Sequence, residues 1–151
     1  MSNKILDAVK NNLYSQLVLY LKHGYNFKVK TSEGYNALMV SLTILNTEKR
    51  LKMFEFLLRN DCVDVLDVDK DNRNIFFWAV IKQYIPELEL LMRNYHIEID
   101  WAQVDFTGRT LLHYGVLTNN QAIMFILLKY CVKYKINVDI PDTQEKITYA
   151  F

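Results

Sequence analysis

Glycine and cysteine are scarce in this chain, four and two among 151 residues, and charge of either sign is not in excess. Each shortage removes a class of function. The glycines Gly24, Gly34, Gly108 and Gly115 are dispersed, so no glycine-rich loop offers successive backbone N–H groups to a phosphate. Cys62 and Cys131 have no metal-type spacing and read as free thiols, which suits a reducing, intracellular compartment, cytoplasm or nucleus. The three histidines, His23, His96 and His113, form no pair with metal-ligand spacing. None stands beside a serine or cysteine in a nucleophile–base pattern. No apolar run approaches the roughly 18 residues of a membrane span, and Lys4 and Asp7 interrupt the one candidate for a secretory leader. The formal charge is +1, with signs interleaved: Lys28 and Lys30 precede Glu33, and Lys70 and Arg73 bracket Asp71. A nucleic-acid binder usually carries a basic stripe, which this pattern lacks. These absences point to a non-enzymatic protein without cofactor, metal, small-molecule substrate or membrane insertion.

What is present is a recurrence. Asp105-Phe106-Thr107-Gly108-Arg109-Thr110-Leu111-Leu112-His113-Tyr114-Gly115 has a turn residue, a small polar residue, an apolar pair and, further on, a small residue. Gly34-Tyr35-Asn36-Ala37-Leu38-Met39-Val40-Ser41 repeats that order, and so does Asn72-Arg73-Asn74-Ile75-Phe76-Phe77-Trp78-Ala79. An eroded copy is Glu145–Phe151. Counted from three residues before each turn residue, the units start at Thr31, Asp69, Asp105 and Asp142, steps of 38, 36 and 37 residues. Each full copy is followed by an apolar cluster with i, i+3, i+4 spacing, the signature of one helix face. The clusters are Phe54-Phe56-Leu57-Leu58, Leu88-Leu90-Leu91-Met92 and Ile123-Ile126-Leu127-Leu128. Residues 1–30 read as a helix pair without the opening turn: Leu6-Asp7-Ala8-Val9, then Leu17-Val18-Leu21, ended by Gly24.

Thr110-Leu111-Leu112-His113-Tyr114-Gly115 resembles the T-P-L-H-x-A opening of the ankyrin repeat, with leucine in the proline slot and glycine in the alanine slot. The steps exceed the roughly 33 residues of that consensus. The resemblance covers essentially the whole chain. It implies an all-α repeat solenoid of stacked helix-turn-helix units joined by β-hairpin-like loops. The units are residues 1–30 as an N-terminal cap, 31–68, 69–104, 105–141 and a partial 142–151, all in one domain. One such helix pair cannot bury its apolar face alone, so neighbours must share a core. The resemblance gives Thr110 and His113 a structural role at the helix start. Small residues at Ala8, Ser41, Ala79 and Gly115 are expected to let neighbouring inner helices approach, and Pro86 fits the first turn of an outer helix. Phe27, Val65, Trp101 and Val138 fall in equivalent slots, which makes Trp101 a buried packing residue. The extra residues are expected within Asn46–Arg50 and after the outer helices, where insertions are cheap. Tyr130–Lys135 reads as an extended loop whose tyrosines pack on the stack.

Asp67-Val68-Asp69-Lys70-Asp71-Asn72 imitates a calcium loop, but the twelfth position is Trp78 where a bidentate glutamate is required. It reads as a polar turn. The resemblance implies instead a protein or peptide partner, bound by a monomeric chain through turn tips and the exposed ends of inner helices. The residues concerned are Tyr35 and Ile44; Lys70, Asp71, Arg73, Ile81 and Lys82; and Phe106, Thr107, Arg109, Leu117 and Thr118. Ile44, Ile81 and Leu117 are expected to form an apolar line there, and Phe106 to stand at a tip with no structural reason to be large and apolar. Two other functions are open. The stop at Phe151, without a polar cap, fits an N-terminal recruitment or regulatory domain of a larger enzyme or channel. Tyr35, Trp78 and Tyr114 supply rings for a methyl-lysine reader of histone tails.

Overall fold

Apolar residues make up 51% of the chain, and in the computed structural model they are collected by helices. The structure describes residues 3–133, 140–141 and 146–147. Eight α-helices occur among them: α1 Lys4–Lys10, α2 Tyr14–Lys22, α3 Ala37–Ser41, α4 Thr47–Arg59, α5 Ile75–Lys82, α6 Ile85–Tyr95, α7 Leu111–Leu117 and α8 Gln121–Lys133. A 3-10 turn, His96–Glu98, extends α6, and Ile140–Pro141 pairs antiparallel with Lys146–Ile147. The fold is all-helical apart from that two-residue pairing. The helices divide into two compact units, Met1–Lys70 and Asp71–Phe151.

In the first unit α1 packs on α2 and on α3, and α3 on α4. Its core is built from Leu6, Val9, Leu17, Leu38, Met39, Phe54 and Leu57, all buried. In the second, α5 packs on α6 and α7, and α8 packs on both α6 and α7. Phe76, Leu88, Leu91, Leu112, Ile123 and Leu127 are buried there. Apart from the half-buried Leu58, Leu90 and Leu128, the apolar clusters recognised by spacing are therefore buried on α4, α6 and α8. Phe27, Val65 and Trp101 are buried as well. Val138 and Asp142 lie outside the described residues, as does the eroded last copy apart from Lys146 and Ile147.

The small polar slot of the recurrence is a helix cap. Asn36 accepts from the Met39 N–H, and Asn74 from those of Phe76 and Phe77. Thr110 accepts from the His113 N–H while the His113 ring accepts from the Thr110 N–H, at 3.2 and 2.9 Å. Each cap satisfies donors that the first helical turn leaves unpaired. Pro86 lies in the first turn of α6, and Gly24 follows α2 with the Gly24 and Tyr25 N–H groups returning to Leu21 and Tyr20.

Three local expectations are corrected. Asn46–Arg50 is not an insertion loop: Asn46 caps α4 and the other four residues are its first turn. The helices α4, α6 and α8 begin at the same offset from Thr31, Asp69 and Asp105, so the added length of this unit lies beyond the start of α4, which has 13 residues against 11 in α6. Gly115 does not open space for a neighbouring inner helix but faces α8, where a Cβ would lie 2.6 Å from Leu127 and 2.7 Å from Met124. Tyr130–Lys133 belongs to α8 rather than to an extended loop, with the Tyr130 ring 4.9 Å from that of His96.

Candidate functional site

The turns before α3 and α7 have the same hydrogen bonds. Gly34 N–H donates to Thr31 and Thr31 N–H to Tyr35; Gly108 N–H donates to Asp105 and Asp105 N–H to Arg109, each at 3.0 Å. Gly34 and Gly108 take φ of 84° and 81°, a conformation cheap only for a residue without a Cβ. Such a turn pushes its second residue outward, which places Phe106 at a tip.

Phe106 is 66% exposed, and what holds the tip beneath it is Asp105. The Asp105 carboxylate accepts from the Thr107 N–H at 2.9 Å, the Thr107 hydroxyl at 2.6 Å and the Arg109 N–H at 3.2 Å. Its other oxygen accepts from the Arg73 Nε at 2.9 Å and from the Tyr114 hydroxyl. Arg73 also donates to the Tyr114 hydroxyl at 2.9 Å, and its guanidinium lies 5.4 Å from both the Phe106 and Tyr114 ring centres. The Arg109 guanidinium lies 6.0 Å from the Tyr114 ring. Burial would raise the Asp105 carboxyl, but the donors Thr107, Tyr114, Arg73 and the Arg109 amide outweigh it and hold the group below its ordinary value. The outcome is a charged, hydrogen-bonded cluster carrying one exposed aromatic ring.

Of the residues singled out in the sequence, the structure gathers Arg73, Phe106, Thr107 and Arg109 into this cluster. Asp71 joins it at 3.9 Å from Arg73, and its carbonyl accepts from the Phe106 N–H at 3.0 Å. Ile81 and Leu117 are exposed, at 37% and 46%, on α5 and α7. Lys82 is exposed with its ammonium 5.7 Å from the Trp78 ring, and the Thr118 hydroxyl turns back to the Gly115 carbonyl. In the first unit Tyr35 is half-buried, and Lys70 is exposed with its N–H bonded to the Glu33 carbonyl.

Ile44 does not belong on an exposed apolar line. It is 8% exposed while its neighbour Leu45 is 89% exposed. Successive turns, with the Leu42, Thr43 and Ile44 N–H groups returning to Met39, Val40 and Ser41, carry Ile44 inward. Buried Arg50 then donates to the Ile44 and Leu45 carbonyls at 3.2 and 3.4 Å. Tyr114 is also buried, edge-on to Phe77 at 5.9 Å, so its ring is committed to the cluster rather than open as the wall of a lysine cage.

Of the residues central to the cluster, the sequence assigns Asp105 to no partner surface and Tyr114 only to the lysine-reader alternative. The available signal was Asp-x-Thr-Gly, in which an aspartate two residues before a threonine can cap its own turn. Cys62 and Cys131 are buried free thiols, and burial with the nearby Asp61 charge pushes Cys62 up to about 11, which leaves it unreactive. No family model matches the sequence, and no curated protein matches it significantly.

Proposed function

We propose that the chain is an ankyrin-type repeat solenoid acting as a protein-interaction module, with the Phe106 tip as a principal contact. The repeat reading is supported by the recurring cap slot of Asn36, Asn74 and Thr110 and by the identical turn bonds at Thr31 and Asp105. The observation that carries the function is an aromatic ring left 66% exposed on a turn braced by a buried carboxylate. Exposing a phenylalanine gains nothing for folding, whereas a rigid ring flanked by arginines loses little entropy on binding.

The test is affinity capture from a lysate with wild type and with Phe106→Ala/Arg109→Ala as bait. Loss of a contact of this kind is expected to weaken the captured partner by about 30-fold, roughly 2 kcal/mol. The melting temperature should barely change, because an exposed ring contributes within about 0.5 kcal/mol. Equal capture of every partner by both baits would refute the placement. On this reading the same surface serves equally in a free-standing adaptor or in a recruitment domain of a larger enzyme or channel.

A further inference from the structure

A backbone donor that is satisfied at two turns of the chain is open at the first. In the second unit the N–H of Phe106, second residue of its turn, donates to the carbonyl of Asp71 at 3.0 Å. In the first unit the N–H of Lys70 donates to the carbonyl of Glu33, also at 3.0 Å. Counted from the unit starts at Thr31, Asp69 and Asp105, the donor is each time the second residue and the acceptor the third residue of the unit before. Ser32 is the second residue of the first turn. It is exposed, and its N–H has no partner among the described residues.

Beside it lies a cavity of about 500 Å³ whose lining includes Leu6 and Lys10 of α1, Thr31, Ser32, Tyr35 and Val40. That volume lies within the range of about 300–1,000 Å³ that accommodates ligands. In the second unit the corresponding positions are Asp105, Phe106 and Tyr114, matching Thr31, Ser32 and Val40, and there they surround the Arg73 side chain. The cavity thus stands where an upstream segment would place a side chain two residues beyond its accepting carbonyl, as Arg73 stands two beyond Asp71. Its chemistry differs from the Arg73 site. Thr31 and Val40 replace the carboxylate and the phenol that hold Arg73, and the lining combines the charged Asp7, Lys10 and Lys30 with apolar surface from Leu6, Val40 and the Tyr35 ring.

We propose that this cavity binds an extended peptide segment of a partner protein. One backbone carbonyl of the segment accepts from the Ser32 N–H, and a side chain two residues further on enters the cavity. Main-chain pairing supplies affinity and the side-chain pocket supplies selectivity, the division used when a strand is added to an open edge. The site is independent of the Phe106 tip.

The turn itself supplies a specific test. Ser32 is the second residue of a four-residue turn closed by the Gly34 N–H on the Thr31 carbonyl, where proline is favoured. Ser32→Pro therefore removes the donor and keeps the turn; Ser32→Ala keeps both. A random heptapeptide phage library is panned on wild type, and an enriched peptide is synthesised and titrated by fluorescence anisotropy. Ser32→Ala and Phe106→Ala are expected to bind it as wild type does, and Ser32→Pro about tenfold more weakly. Undiminished binding by a fully folded Ser32→Pro, or no peptide enriched on wild type, overturns the proposal. Loss with Phe106→Ala alone overturns it in favour of the tip. Should Ser32→Pro melt below wild type, the Ser32 amide resonance of labelled wild type decides: a shift on saturation supports the site, and an unmoved resonance overturns it.

Discussion

Asp105 is buried, yet its carboxyl is held below the ordinary value, because five donors from four residues face it. A carboxyl lowered on folding contributes stability that is fully present above its unfolded value, about pH 4, and is lost as pH falls through the lowered folded value. Asp105→Asn keeps the shape but removes the charge that Arg73 and Tyr114 bond. A loss of about 2 kcal/mol is expected at pH 7, since hydrogen bonds to charged groups are the strong ones and Arg73 is left partly buried without its anion. Urea unfolding of both forms at pH 7 and pH 3 checks this. The gap should narrow at the lower pH, and an equal gap at both would show that the charge contributes nothing. Sequence made Phe106 and Arg109 visible by their departure from the repeat signature. It could not reveal that Arg73, 32 residues from Asp105 and 41 from Tyr114, closes the same cluster, because no local spacing encodes that meeting.

Among the elements, asparagine does much of what glycine does elsewhere. Asn12 and Asn119 adopt left-handed φ of 55° and 52° between paired helices, and Asn72 takes 58° where Gly34 and Gly108 stand in the other turns. Asparagine tolerates that conformation better than most residues, so a chain with four glycines still makes its turns. Glycine is retained where space is short. At Gly34 a Cβ would lie 3.1 Å from backbone atoms of Asp69 and Lys70. Gly115 is the sharper case for experiment, since its contacts are with α8 rather than with an inner helix. Gly115→Val is expected to lower stability by about 1–3 kcal/mol through overpacking against Leu127 and Met124. Thermal melts measure it, and Leu127→Ala in the same chain should recover part of the loss. Absence of any recovery would mean that α7 and α8 are not in the contact described.

At the scale of the whole chain, positive and negative residues are nearly equal and interleaved, and no helix among the described residues is long and apolar enough to cross a membrane. A molecule without a basic stripe gains little from releasing counterions from a polyanion. It is expected to pass a heparin column unretained at about 0.15 M salt, where charges more than roughly 8 Å apart are screened. Retention beyond that salt would reveal a positive surface that the residue order conceals.

The sequence by itself determined the order of paired helices and the faces by which the outer ones are buried, though not the start of α4. Helix-face spacing acts over a few residues and the recurrence repeats whole slots, so the polar slot shared by Asn36, Asn74 and Thr110 and the burial of Trp101 were legible in sequence, while the capping role of Asn36 and Asn74 was not. Tertiary structure alone decided which of the remaining residues stay open. Ile44 has the same position in its unit as an exposed residue of a partner groove, but the turns of residues 42–46 and the reach of Arg50 bury it. The repeat resemblance places Ser32 at a turn tip, but only hydrogen bonds elsewhere in the chain show which donor it leaves open. Burial and pairing between distant residues depend on the path of the backbone in space, and local pattern carries no record of that path.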